Sequence, residues 1–128
     1  MIGYVTIGMN DAQTSGRFYD AVLNAIGHER KFDDGGWIGY GRKGDDSHSV
    51  YVCPPHDGKP ATSGNGTMIA FVAPSKDAVR KAYDAGLANG GSDEGAPGPR
   101  PADSTTFYGA YLRDPTGNKI CVFAKAPF

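Results

Sequence analysis

The feature that most constrains the fold is a repeat within the chain. Shifted by 64 residues, the segment 4–27 superposes on the segment 68–91 without a gap. The identical positions are Tyr19 and Tyr83, Asp20 and Asp84, Ala21 and Ala85, Leu23 and Leu87, and Gly27 and Gly91. Self-similarity at one offset indicates copies of one structural unit. The sequence therefore predicts one domain, 1–128, built from internal units of about 1–56 and 66–128.

Each unit is predicted to contain one helix. Asp11 is a candidate N-cap in the first unit, and Gly27 has the position of a C-terminal glycine. Ser75 and Gly90 have the same roles in the second unit. Apolar residues between these boundaries recur at helical spacing. Two generic amphipathic helices that agree by chance remain the alternative, but the strands and turns repeat as well.

Short apolar, β-branched or aromatic runs bounded by glycine and proline predict the strands. These runs are 2–8, 28–32, 37–41, 49–53, 67–73, 106–113 and 119–124, and the segments 54–66 and 94–104 are predicted loops. A further shift of 70 residues aligns 37–39 with 107–109 and 50–52 with 120–122. Each unit is interpreted as β-α-β-β-β, an α+β fold with one helix on the outer face of each sheet. The other face must find a partner or line a cavity.

Charge and hydropathy exclude several classes of function. A net charge of −1 gives no electrostatic footprint for nucleic acid or an anionic membrane. No stretch has the roughly 18 apolar residues of a membrane span, and no signal segment is apparent at the N-terminus. We therefore expect a cytoplasmic protein without nucleic-acid or membrane partners. Cys53 and Cys121 are expected to be buried, reduced side chains.

Two segments carry a resemblance to a known family. They are "RFYDAVLNAIG" (17–27), which follows the first strand, and "YLRDPTGNKICVF" (111–123), which contains the last strand. Together with the paired units, they resemble the vicinal oxygen chelate superfamily of glyoxalase I, extradiol dioxygenases, and fosfomycin- and bleomycin-resistance proteins. The resemblance implies two sheets curled into cups around a divalent metal or a ligand, and a homodimer.

The resemblance also implies four metal-ligand positions, at Tyr4, Tyr51, Met68 and Cys121. Family members typically carry His or Gln, Glu, His and Glu there. A neutral phenol binds divalent ions poorly, a thioether suits softer ions, and a lone thiolate does not complete a site. We therefore expect these positions to be degenerate and the protein to need no cofactor. A divalent metal would follow only from the family's usual chemistry.

Strand alternation predicts which side chains line the cups. The predicted lining residues are Tyr4, Thr6, Trp37, Tyr51, Met68, Ala70, Tyr111, Cys121 and Phe123. The predicted polar rim contains His56, Asn65 and Arg100, whereas His28 and His48 are assigned surface roles. Asp114, Gly117 and Asn118 are interpreted as turn-formers. The alternative is that the aromatic side chains fill the cups as ordinary core.

Three functions follow from these expectations, and the catalytic residues remain unassigned in all of them. The favoured one is a metal-independent protein that binds an unknown small molecule in an aromatic, apolar pocket. A second is a metal-dependent lyase or isomerase of the glyoxalase type, which would need a carboxylate base that the predicted cup faces do not supply. A third is a metal-free enzyme that uses Tyr4, Tyr51 or Cys121.

Overall fold

The structure, a computed structural model, describes residues 1–128. Two helices and eight strands follow one another in the predicted order. They are β1 (Val5–Gly8), α1 (Ala12–Asn24), β2 (His28–Asp34), β3 (Trp37–Arg42), β4 (Val50–Cys53), β5 (Ile69–Val72), α2 (Lys76–Ala88), β6 (Ser92–Pro99), β7 (Phe107–Arg113) and β8 (Lys119–Lys125). Neither helix has the length and apolar character that crossing a membrane requires. The predicted β-α-β-β-β order is confirmed in both units.

The two sheets have the same topology. Their strand orders are β1-β4-β3-β2 and β5-β8-β7-β6, and the first pair of each sheet is parallel while the other pairs are antiparallel. Thr6 lies opposite Tyr51 in the first sheet, and Ala70 lies opposite Cys121 in the second. The repeat offsets therefore match structurally equivalent positions in these strands.

The alignment of β3 with β7 differs from the prediction by two residues. Gly39 lies opposite Tyr51, and the residue opposite Cys121 is Tyr111. The structural equivalent of Gly39 is thus Tyr111 rather than Gly109. Because side chains alternate with a period of two, this error leaves every predicted face unchanged.

Local side-chain chemistry sets the helix ends. The Asp11 carboxylate accepts hydrogen bonds from the first turn of α1, and the Ser75 hydroxyl accepts one from the backbone N–H of Ala78 in α2. Gly27 and Gly90 follow the helices with φ angles of +94° and +96°. These angles fall in the left-handed region that glycine adopts without strain.

The second unit also differs from the prediction in its second strand, β6. The segment 94–104 was predicted to be a loop because of its prolines, whereas β6 extends to Pro99. β6 is the edge strand of its sheet, where a proline need not donate to a neighbouring strand. The pairing of β6 with β7 also has two register shifts, which removed any alternating pattern from the sequence. Strands β1 and β5 begin later than predicted, so Tyr4 and Met68 precede them.

One apolar core serves both units. Its 19 buried residues come from both helices and from the helix-facing sides of both sheets. Helix α1 packs against α2, and Gly86 permits this approach because a Cβ atom there would lie 3.1 Å from the Val22 Cγ2 atom and 3.2 Å from the Phe18 Cε2 atom of α1. The predicted cup faces, here called the first and second concave faces, are the sides of the two sheets that do not contribute to this core.

The "DPTGN" turn joins the units through a buried carboxylate. Asp114 is only 4% exposed and accepts a 2.6 Å hydrogen bond from the Tyr19 hydroxyl of α1. It also accepts bonds from the backbone N–H groups of Thr116 and Asn118. The Asn118 side-chain amide donates to Asp114 and to the carbonyl of Gly8 at the end of β1. The turn therefore connects the second unit to helix α1 and to the end of β1.

We predict that Tyr19→Phe lowers the free energy of unfolding by about 2 kcal/mol, because a buried carboxylate loses a hydrogen bond. Tyr83→Phe is the matched control. Tyr83 is the repeat equivalent in α2, and its hydroxyl bonds Asp93 at an exposed site. We expect less than about 0.5 kcal/mol for that change. Urea denaturation measures both values, and equal losses would contradict the assigned role of the Tyr19 bond.

Candidate functional site

Aromatic rings cluster on the first concave face. The ring of Tyr51 lies at the centre, with its centroid 5.5 Å from that of Tyr4, 5.7 Å from Trp37 and 6.5 Å from Phe32. The contacts of Tyr4 and Phe32 with Tyr51 are close to perpendicular, at 88° and 85°. Edge-to-face contacts of this kind are favourable for aromatic pairs. The cluster therefore has a defined geometry although it lies at the surface.

These rings surround an open hollow of about 430 Å³. The hollow is lined by Tyr4, Phe32, Asp34, Gly35, Trp37, His48 and Tyr51. The exposed fractions are 63% for Tyr4 and 39% for both Phe32 and Trp37. Large apolar side chains grouped on a surface mark an interaction site more often than isolated ones do. The alternative interpretation, in which the aromatic side chains fill the first cup as ordinary core, does not hold for this face, because these side chains are exposed.

Gly39 determines where the Tyr51 ring lies. A Cβ atom at Gly39 would come within 3.0 Å of the Tyr51 Cε1 atom and of the Phe32 Cβ atom. The ring of Tyr51 therefore occupies space that any other residue at position 39 would partly fill. This close approach places the ring over Gly39 of β3 and against Phe32 of β2.

A polar contact fixes the hydroxyl end of Tyr51. This hydroxyl forms a hydrogen bond with the Nδ1 atom of His48, whose ring stacks on Phe32 at a centroid distance of 6.3 Å. His48 is exposed, in agreement with its predicted surface role, and its ring is also part of the aromatic cluster. A histidine at a loop end carries no sequence signal that would have indicated this contact.

The second concave face has different chemistry. Phe107 stacks on Phe123 with a centroid distance of 5.3 Å and an interplanar angle of 15°. Next to this pair, Tyr111 lies opposite Cys121, which is only 2% exposed. Burial raises the pKa of the Cys121 thiol, and this effect outweighs the opposing influence of Tyr111 and two nearby cations. A protonated thiol is a weak nucleophile.

Those two cations are Arg100 and Lys119. The Arg100 Cζ atom and the Lys119 Nζ atom each lie 5.6 Å from the centroid of the Tyr111 ring, within the range of a cation–π contact. Arg100 also donates to the backbone carbonyls of Ala96 and Pro99. The second face therefore combines aromatic rings with positive charge, whereas Asp34 is the charged side chain that lines the first hollow.

The structure brings most of the predicted lining residues into these two groups. Tyr4, Trp37 and Tyr51 meet on the first face, and Ala70, Tyr111, Cys121 and Phe123 share the second. Thr6 and Met68 instead line separate polar hollows near the junction of the units, and Asn65 lines the same hollow as Met68. His56 lies exposed in the loop after β4 and lines neither hollow.

Sequence reasoning missed Phe32, His48 and Lys119. A register shift lies between Arg30 and Phe32, so alternation from the strand start would assign Phe32 to the face of Arg30, which pairs with Asp20 of α1. Lys119 was treated only as the first residue of a strand, although its position two residues before Cys121 places it on the same face. That spacing was a usable signal.

Comparison with known proteins identifies the family. The model of the glyoxalase/bleomycin resistance protein/dioxygenase superfamily matches residues 1–122. The chain belongs to this superfamily. The resemblance carried by the repeat and by the "DPTGN" segment is therefore confirmed.

Solved structures of superfamily proteins share the fold. A glyoxalase/bleomycin resistance protein from Albidiferax ferrireducens T118 is 36% identical, with a TM-score of 0.85, and the match covers 96% of this chain and 97% of that one. A glyoxalase-related enzyme from Fulvimarina pelagi is 16% identical, with a TM-score of 0.72 and coverages of 98% and 88%. The antibiotic-binding protein TnmS3 from Streptomyces sp. CB03234 is 17% identical, with a TM-score of 0.63 and coverages of 98% and 97%. No protein of curated function matches the chain.

The four positions that the resemblance assigns to metal ligands, Tyr4, Tyr51, Met68 and Cys121, do not fit a divalent ion. The Tyr51 hydroxyl is hydrogen-bonded to His48, and Met68 offers only a thioether. The Cys121 thiol is buried, and burial raises its pKa. No cluster of three or more His, Cys, Asp or Glu side chains has a geometry suited to an ion. A hard or borderline divalent ion prefers carboxylate and imidazole donors. We therefore derive no metal-dependent step for this chain.

We predict that Cys121 resists alkylation in the native protein, because the reactive species is the thiolate and both burial and the raised pKa oppose its formation. After brief exposure to iodoacetamide at pH 7.5, mass spectrometry should find Cys121 unmodified, and denaturation should make it fully reactive. Rapid alkylation of Cys121 in the folded protein would contradict this prediction and would support a nucleophilic role for this residue.

Proposed function

We propose that this superfamily member binds a planar, largely apolar small molecule on its first concave face, without a metal. The single observation that supports this proposal most is the open cluster of Tyr4, Phe32, Trp37 and Tyr51 around a hollow of about 430 Å³. Ligand pockets are typically apolar with a few placed polar groups. Here the polar groups are the Asp34 carboxylate and the hydroxyl–imidazole pair of Tyr51 and His48.

Aromatic stacking provides the binding energy in this proposal. Each ring–ring contact contributes about 0.5–1.5 kcal/mol beyond the burial of apolar area. Burial itself contributes about 25 cal/mol for each Å² removed from water. A planar ligand that covers two rings therefore gains affinity without any charged contact. The hydrogen bond of Tyr51 with His48 and the contact with Gly39 hold the central ring in place before the ligand arrives, which reduces the entropic penalty.

The fold of an antibiotic-binding protein is consistent with this kind of ligand. TnmS3 has the same fold, and its description as antibiotic-binding shows that this architecture serves for binding in at least that protein. At 17% identity the likeness extends to the fold alone. We therefore propose a ligand class, a planar molecule with apolar faces, and no individual compound.

We further propose that the protein acts as a homodimer in the cytoplasm. Each concave face lies on the far side of its sheet from the shared core, so exposed residues such as Tyr4 at 63% and Val72 at 61% have no cover within the chain. A second copy would cover them and enclose the aromatic hollow. The free cysteines Cys53 and Cys121 suit a reducing compartment.

A metal-free enzyme is the second candidate, and one observation favours it. The Tyr51 hydroxyl and the His48 imidazole form a hydrogen-bonded pair at the wall of the hollow, where a bound ligand would contact them. Such a pair can transfer a proton to or from a substrate oxygen. Conversion of a bound ligand that is lost in Tyr51→Phe and retained in Trp37→Phe would establish this candidate over simple binding.

Binding can be measured through the fluorescence of Trp37, since this is the only tryptophan of the chain. We predict that members of a library of planar aromatic compounds quench Trp37 emission saturably. For a compound that does so, Tyr51→Ala should weaken binding by roughly tenfold, because it removes the central ring. Leu87→Ala, at an exposed apolar residue on α2, is the control and should leave the affinity within about twofold. Absence of saturable quenching across the library, or equal loss in both variants, would contradict the proposed face.

The dimer has its own test. Light scattering at micromolar concentration should give twice the 13.5 kDa mass of one chain. We expect a dimer because uncovered apolar side chains on both concave faces favour association. A monomeric mass across the whole concentration range would contradict the proposed assembly and leave the binding face itself to the fluorescence test.

A further inference from the structure

A second hollow lies apart from the aromatic cluster, beside the segment that connects the two units. It has a volume of about 540 Å³ and is lined by Ser63, Gly64, Asn65, Gly66, Thr67, Met68, Arg113 and Lys119. Both charged residues among these are cations, and no carboxylate lines the hollow. The charge of its lining is thus opposite in sign to that of the aromatic hollow, where the charged side chain is Asp34.

The positive charge in this hollow is only partly balanced. Arg113 forms an ion pair with Glu94 at 2.8 Å and donates to the carbonyl of Gly117. Lys119 forms no ion pair, and its Nζ atom lies over the ring of Tyr111. Arg100, on the same ring, also has no carboxylate partner. Of the two cations that line this hollow, Lys119 is therefore the one without a carboxylate partner.

The connecting segment adds hydrogen-bond donors. No backbone N–H of residues 63–68 donates to another backbone group. The hydroxyls of Ser63 and Thr67 and the amide of Asn65 lie in the same stretch, and Gly66 adopts a φ angle of +100°. Free backbone N–H groups in a glycine-containing turn form concavities that accept anions. Here the segment that carries them lines the same hollow as Lys119.

We propose that this hollow binds an oxyanion, a phosphate or carboxylate group, between the connecting segment and Lys119. Lys119 provides the free positive charge, Arg113 adds charge from a fixed position, and the N–H and hydroxyl groups of residues 63–67 donate hydrogen bonds. The anion is either a free inorganic ion or the acidic group of a larger organic ligand, because both present the same oxygens.

This site does not depend on the function proposed above, because its residues are distinct from the aromatic cluster. The test uses inorganic phosphate at low ionic strength with the full chain, followed by amide nuclear magnetic resonance. We expect saturable shifts of the Gly64, Gly66 and Thr67 signals. Lys119→Gln should weaken phosphate binding by roughly tenfold, the loss expected for a charge-assisted contact.

Lys125→Gln is the matched control, because Lys125 ends the same strand β8 and does not line the hollow. It should change phosphate affinity by less than about twofold. Equal losses in Lys119→Gln and Lys125→Gln would show general charge attraction and overturn the proposal. Unchanged signals of residues 63–68 up to tens of millimolar phosphate would overturn it as well.

Phenyl phosphate distinguishes the two sources of the anion. If the hollow holds the acidic group of an organic ligand, phenyl phosphate should bind more tightly than inorganic phosphate and should also shift the Met68 and Tyr111 signals. Equal affinity without those additional shifts would assign the site to a free ion. Both results depend on Lys119, so the Lys119→Gln variant accompanies each titration.

Discussion

The buried carboxylate of Asp114 is the interaction on which the arrangement of the two units depends. It lies 4% exposed at the start of the last turn and accepts a bond from Tyr19 of the first helix. Through Asn118 the same turn reaches the carbonyl of Gly8 at the end of β1. A buried carboxylate is tolerated only when its oxygens are satisfied. Its partners come from both units, so the carboxylate requires the units to pack as observed.

This constraint has a consequence for the binding faces. With α1 packed against α2 and the turn bonded to β1, the apolar sides of both sheets enter one core. The side chains on the opposite sides of the sheets do not belong to this core. One side carries an uncovered aromatic cluster, and the other carries cations around Tyr111. The two concave faces belong to equivalent units, but they differ in charge.

The sequence predicted the fold well because the relevant signals are local or repeated. The helix caps at Asp11 and Ser75 depend on neighbouring residues, and the offsets that align β1 with β5 and β4 with β8 depend on the repeated pattern; both are confirmed. The site was harder to predict because its geometry depends on register. A register shift places Phe32 in the cluster, and edge-strand prolines concealed β6. No pattern in the sequence indicates that His48 reaches Tyr51.

The paired registers also explain why equivalent positions acquired different roles. In the first sheet, Tyr51 on β4 lies opposite Gly39 on β3, so a large ring covers a position without a side chain. In the second sheet the sizes are reversed, because Cys121 on β8 lies opposite Tyr111 on β7. Each pair places one tyrosine on the concave face, but from different strands. In the second pair Cys121 is only 2% exposed beside Tyr111, so its thiol offers little surface to the cup. A glutamate introduced at position 121 would therefore place a carboxylate in a buried position beside Tyr111, at a cost in stability.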